Sequence, residues 1–180
     1  LHECFCCYYI YCTCRDCFKD NWMIYLDVDG VIADFEAGLK VLGWTGDLYN
    51  RGRGELSKFM YEQWERIFST APLTPNADYF MTLYETENQI QNNCQILTAM
   101  GSHYTPKQAH TVYANKLAWL EKQGFEREHI NIVPTAEDKL PFCKPGDVLY
   151  DDKRWTIKRW NELGGLGILV YCDHSWNQPD

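Results

Sequence analysis

Two rhythms of apolar and polar positions alternate along the chain from residue 22 onward. "MIYLDV" (23–28) is a short apolar run rich in β-branched and aromatic side chains, which predicts a buried strand, and "VIADFEAGLKVLG" continues as a helix with a glycine near its end. "CQILTAM" and "HINIVP" predict two further strands, separated by "TPKQAHTVYANKLAWLEKQG", in which Ala109, Val112, Leu117 and Leu120 recur at helical spacing. "GDVLYDD" is another apolar run ending in paired acids. "KRWTIKRWNELGG" predicts a helix closed by glycines, and "LGILVYC" a final strand. Strands alternating with helices predict an α/β fold, a Rossmann-like parallel sheet with helices on both faces.

Residues 44 to about 92 interrupt that rhythm. They are polar and aromatic-rich, are broken by "GDLYNRGRGE" and "APLTPNADYF", and carry a helical stretch around "LSKFMYEQWERIF". A small helical cap inserted after the first strand-helix unit accounts for them. Its aromatics Trp44, Tyr49, Phe59, Tyr61, Trp64 and Phe68 are expected mainly to form the core of that lobe, with one or two free to face outward and stack on a planar group.

The first strand raises a chemical question. Side chains of an extended strand alternate faces, so Asp27 and Asp29 point the same way and repel unless a proton or a cation intervenes. In open parallel sheets ligands bind at the carboxyl ends of the strands. Three predicted strands end there in reactive groups: Asp27 and Asp29 on the first, Thr98 on the second, Asp151 and Asp152 on a later one. Any one of these reads as an ordinary cap or turn residue. Together they put four carboxylates along one sheet edge with no structural need for them. Oxygen donors of this kind suit Mg²⁺ together with a substrate phosphate, and a carboxylate beside a metal can attack phosphorus. Asp34, in "ADF", is expected to cap or orient its loop.

These motifs resemble those of the haloacid dehalogenase superfamily of phosphotransferases. "DVDGV" is similar to the first motif, "ILT" to the second, a helix-borne lysine to the third and "LYDD" to the fourth, in that order over residues 23 to about 172. Within the superfamily, "DVDGVIADFE", the helical insertion, "KLAWLEK", "GDVLYDD" and the later "GGLGIL" resemble the 5′(3′)-deoxyribonucleotidase branch, including its phage and bacterial relatives. The resemblance implies an Mg²⁺-dependent phosphomonoesterase that dephosphorylates deoxyribonucleoside monophosphates through an aspartyl-phosphate. Asp27 would be the nucleophile and a metal ligand. Asp29 would serve as general acid and then general base, its carbonyl helping to hold the metal. Thr98 would hydrogen-bond the phosphoryl oxygens beside Ala99, and Lys116 would neutralise the charge developing there. Asp151 and Asp152 would complete the metal site. Lys116 is preferred to Lys139 because the "K..W" spacing matches the branch and Lys139 lies where no motif is expected. Two departures bear on substrate detail: Ala99 stands where many relatives carry a hydroxyl residue, and Lys153-Arg154 where many carry Arg-Pro. Other readings are a phosphatase of another small phosphate ester and a non-catalytic binding module.

Composition narrows the remaining choices. The 180 residues are 46% hydrophobic, enough for one real core. A formal net charge of −8 argues against binding nucleic acid polymers or anionic membranes, leaving a small nucleotide as the expected partner, with a homodimer allowed. No apolar run is long enough to span a bilayer and no secretory pattern is evident, so a cytoplasmic location is expected. Six of the nine cysteines (Cys4, Cys6, Cys7, Cys12, Cys14, Cys17) crowd ahead of residue 18. Such density could mean disulfides or a zinc site, and "CRDC" has the two-residue spacing of one half of a zinc knuckle, but no second spaced pair or turn glycine accompanies it. Residues 1–22 are therefore expected to be a disordered or non-native extension to a domain that starts at Met23, and a binding module would use them as its metal site.

Overall fold

The computed structural model describes residues 22–46, 53–101 and 104–171, and the cysteine-rich stretch 1–21 lies outside them. Five parallel strands form one sheet: β1 (Ile24–Leu26), β2 (Cys94–Ala99), β3 (Ile130–Val133), β4 (Val148–Asp151) and β5 (Leu166–Leu169), in the order β3-β2-β1-β4-β5. β1 is central, with Ile24 in register with both Cys94 and Val148. All strand carboxyl ends therefore meet at one edge. The polar ends of β1, β2 and β4 are where the strand pattern predicts them.

One sheet face is covered by α3 (Ala77–Ile90) and α4 (Pro106–Lys122). Phe80, Tyr84, Leu117 and Leu120 pack there on Ile24, Leu26 and Ile96. The other face is covered by α5 (Arg154–Glu162), whose Ile157 and Trp160 meet Tyr25, Leu97 and Leu149. The Trp160 indole is fully buried and donates to the Asp147 carbonyl at 3.1 Å. Truncating such a ring costs about 3–5 kcal/mol. A Cβ at residue 165 would strike that indole, so glycine is required there.

Local signals set the helix ends. Asp34 accepts from the Ala37 amide and caps α1 (Phe35–Val41), as its sequence position suggests. α4 opens on Thr105 and Gln108 as a reciprocal capping box with Pro106 in its first turn.

Two boundaries differ from the sequence reading. Trp22 packs against the core and its carbonyl accepts from Asn93, so among the described residues the packing begins before Met23. The insertion divides in two. α2 (Arg53–Glu62) and the turns to Phe68 pack with α1 as a separate apolar cluster, in which Leu39, Ile67, Phe68 and Val112 are buried and Trp44, Phe59 and Trp64 lean on them. α3, by contrast, belongs to the sheet core. "TPNADYF" reads as a break because of its proline and asparagine, yet Asn76 stands at the N-cap of a helix whose Ala77, Phe80 and Tyr84 form a buried stripe. Tyr61 is exposed, and Tyr49 lies outside the described residues.

Candidate active site

The carboxyl edge of the sheet forms the floor of a cavity of about 220 Å³. Asp27, Asp29, Asp151 and Asp152 line it below, and Phe35, Met60 and Phe68 line it on the cap side. The loop after β1 delivers both first-motif acids. The Val28 carbonyl accepts from the amides of Val31, Ile32 and Ala33, and the Gly30 amide donates to the Ala33 carbonyl. Gly30 adopts φ +80°, and a side chain there would strike the Asp152 carboxylate. Glycine thus serves both the turn and the close approach of the two acidic segments.

Two buried lysines hold three of the four acids. Lys139, on a 3₁₀ turn (Glu137–Phe142) that follows β3, places Nζ 2.9 Å from Asp27 Oδ1 and 2.7 Å from Asp151 Oδ2. Burial alone would work against its charge, but the two carboxylates more than offset that, and its pKa stands above the ordinary lysine value. Lys116, in the middle of α4, donates from Nζ to Asp29 Oδ2 at 2.6 Å and to the Ala99 carbonyl at 2.8 Å. The Phe68 ring centroid lies 4.2 Å from the same atom. Two oxygen acceptors and one aromatic face thus surround the ammonium.

Lys116, the expected phosphate-facing cation, and its rival Lys139 thus stand in different surroundings. Lys139 is paired with Asp27 and lines the cavity, whereas Lys116 is enclosed by Asp29, the Ala99 carbonyl and Phe68 and is not among the lining residues. A usable signal was the position of Lys139 after a strand end, hence at the carboxyl edge. Thr98 stands near the carboxyl end of β2, as expected. Its hydroxyl is fully buried without a hydrogen-bond partner among the described residues, and Ala99, Met100 and Gly101 line the cavity instead. Strand alternation turns Thr98 inward as it brings Ala99 to the cavity. Phe35, Met60, Lys139 and Lys153 are lining residues that spacing did not single out.

Electrostatics separates the carboxylates. Burial raises the Asp29 pKa, partly offset by Lys116. Burial, then repulsion from Asp27, pushes Asp151 up to about 6, and the same causes hold Asp152 well above the ordinary carboxylate range. Asp27, Asp151 and Asp152 can each bring one carboxylate oxygen within 4.8 Å of the others. A buried, mutually repelling, all-oxygen donor set fits a hard divalent cation such as Mg²⁺.

No protein-family model matches the chain, and no curated protein matches it. Solved structures do. A crystal structure described as a dehalogenase aligns at 10% identity over 90% of this chain and 89% of that one, with a TM-score of 0.51. A haloacid dehalogenase-like family hydrolase from Streptococcus pneumoniae aligns at 14% identity over 89% and 92%, also at 0.51. At these identities the likeness establishes the architecture: the chain has a haloacid dehalogenase-like fold. Among the described residues no helix is long and apolar enough to cross a membrane.

Proposed function

We propose that this site hydrolyses phosphate monoesters, and deoxyribonucleoside monophosphates in particular, through an aspartyl-phosphate on Asp27. The observation that carries the reading is the different partnering of the two first-motif acids. Asp27 is held by Lys139 at the cavity floor, while Asp29, two residues on, is pushed by burial toward its protonated form. That division suits a nucleophile beside a general acid.

In the first half-reaction the Asp27 oxygen bonds phosphorus, the ester bond to the leaving oxygen breaks, and the Asp29 proton goes to that oxygen. In the second, water attacks the phosphoenzyme, gives its proton to Asp29 and frees Asp27 and phosphate. Lys139 balances charge on the phosphoryl group from beside the nucleophile. Asp27, Asp151 and Asp152, with the Asp29 carbonyl, would hold Mg²⁺, which supplies Lewis-acid stabilisation of the phosphoryl oxygens when bound. Ala99, which lines the cavity, would form part of the wall against the phosphate.

Phe35, Met60 and Phe68 support the substrate reading, because an apolar wall gives a ribose 2′-hydroxyl no partner. Leaving that hydroxyl unpaired costs on the order of 1–3 kcal/mol, or roughly tenfold to a hundredfold in efficiency. Phosphate release from a nucleotide panel with and without Mg²⁺ tests it. The expected result is Mg²⁺-dependent release with higher kcat/KM for dUMP than for UMP and little turnover of di- and triphosphates. Equal efficiency toward dUMP and UMP, or preference for a sugar phosphate without a base, would remove the nucleotide assignment and leave the phosphatase.

A further inference from the structure

Lys116 poses a problem that the phosphatase reading does not solve. A lysine buried to 1% exposure in mid-helix, on the same stripe as Val112 and Leu120, is costly unless its charge is met. It is met by Asp29, by the Ala99 carbonyl at the end of β2 and by the face of Phe68, which lies in the cap cluster and stacks on Phe35 at 5.9 Å. The cap ring and the acid of the core thus share one ammonium. The ring attracts the cation and keeps water from it, so the Asp29 carboxyl has a fixed donor in a fixed place. Without the ring, Nζ gains a solvent-facing hydrogen and an alternative partner, and Asp29 loses that restraint.

Resting on the phosphatase reading, we propose that Phe68 is a positioning residue for proton transfer: through Lys116 it holds the Asp29 carboxyl in line with the leaving oxygen when the cap covers the substrate. The effect falls on the step in which the ester bond breaks and the Asp29 proton moves to the leaving oxygen. A deoxyribose alkoxide needs that proton, whereas p-nitrophenolate departs without it.

The test is the rate of phosphoenzyme formation in rapid-mixing experiments at saturating ester and Mg²⁺, comparing dUMP with p-nitrophenyl phosphate. Three side chains replace Phe68: Leu, pentafluorophenylalanine, which keeps the shape but inverts the ring's quadrupole, and Tyr, which keeps the ring face. For Phe68→Leu and the fluorinated variant, the ratio of the dUMP rate to the aryl rate should fall roughly tenfold, within the range of general acid catalysis, and Phe68→Tyr should restore it. An unchanged ratio in both, or a loss confined to KM, would overturn the proposal and make Phe68 a plain wall residue. A parent protein that forms no phosphoenzyme from either ester would overturn the phosphatase reading beneath it.

Discussion

Lys139 and Lys116 are both buried lysines bonded to a first-motif acid, and they differ in what stands on their remaining sides. Lys139 joins Asp27 to Asp151 and lines the cavity. Lys116 joins Asp29 to a backbone carbonyl and is sealed by an aromatic face. The contrast shows that burial and an ion pair do not by themselves define a role. A lysine at a cavity wall can meet an incoming anion, whereas one enclosed by its own partners serves to fix the group it holds.

The most severe way to sharpen that contrast is to remove the acids themselves. Asp27→Asn keeps the shape and loses the attacking charge, so phosphate release should fall by at least about 10⁴-fold while the fold persists. Asp29→Asn should lose roughly 10²- to 10⁴-fold through slower proton transfer. Turnover near that of the parent in the Asp27 variant would break the nucleophile assignment, and in the Asp29 variant the acid assignment.

Next come the lysines. Lys139→Met leaves two buried carboxylates facing each other, which costs on the order of 3–5 kcal/mol of metal-free stability. Its turnover should fall more than about 10²-fold, because the charge beside the nucleophile is lost. Lys116→Met should cost less in both respects, since Asp29 keeps 24% exposure and can recruit water. Thermal unfolding in a chelator and steady-state phosphate release are the measurements. Equal losses in the two variants would erase the distinction.

How far the sequence disclosed this arrangement follows from which forces act locally. Buried parallel strands read as apolar runs, and their acidic ends mark the sheet edge, so Asp27, Asp29, Asp151 and Asp152 were identifiable before any coordinates. The start of α4 was visible in "TPKQ" because its capping box is a four-residue matter. α3 was hidden because its cap sits in a proline-containing stretch that resembles a loop. The roles of the lysines were hidden for a different reason. Helical spacing shows that Lys116 shares a stripe with Val112 and Leu120, but not that Phe68, 48 residues earlier, closes over it. The reach of Lys139 to Asp27 depends on a 3₁₀ turn whose direction is set by packing on the sheet. Thr98 lay at the right strand end, and only the burial of its hydroxyl showed which face it takes.

The smallest expected effect sharpens the comparison through pH. Asp151 shares Lys139 with Asp27, yet its pKa in the metal-free fold is about 6 against 3.8 for an ordinary carboxyl, chiefly from burial and then from Asp27. A folded-state pKa above the unfolded one means that the folded protein binds the extra proton. The stability this contributes is present below about 3.8 and is lost as pH rises through about 6. In a chelator, the transition temperature should therefore be a few degrees higher at pH 5 than at pH 7. Asp151→Asn carries no such proton and should shrink the difference to the part that comes from Asp29 and Asp152, which burial also raises. Excess Mg²⁺ should reverse it, since the ion competes with the proton for the same oxygens and stabilises the fold most where Asp151 is ionised. Differential scanning fluorimetry of the parent and the variant at the two pH values, with and without Mg²⁺, decides the matter. A parent that is more stable at pH 7 in the chelator, with the variant behaving alike, would mean that Lys139 already neutralises Asp151 completely. The acidic floor would then be as self-contained as the Lys116 cluster and would have no need of a metal.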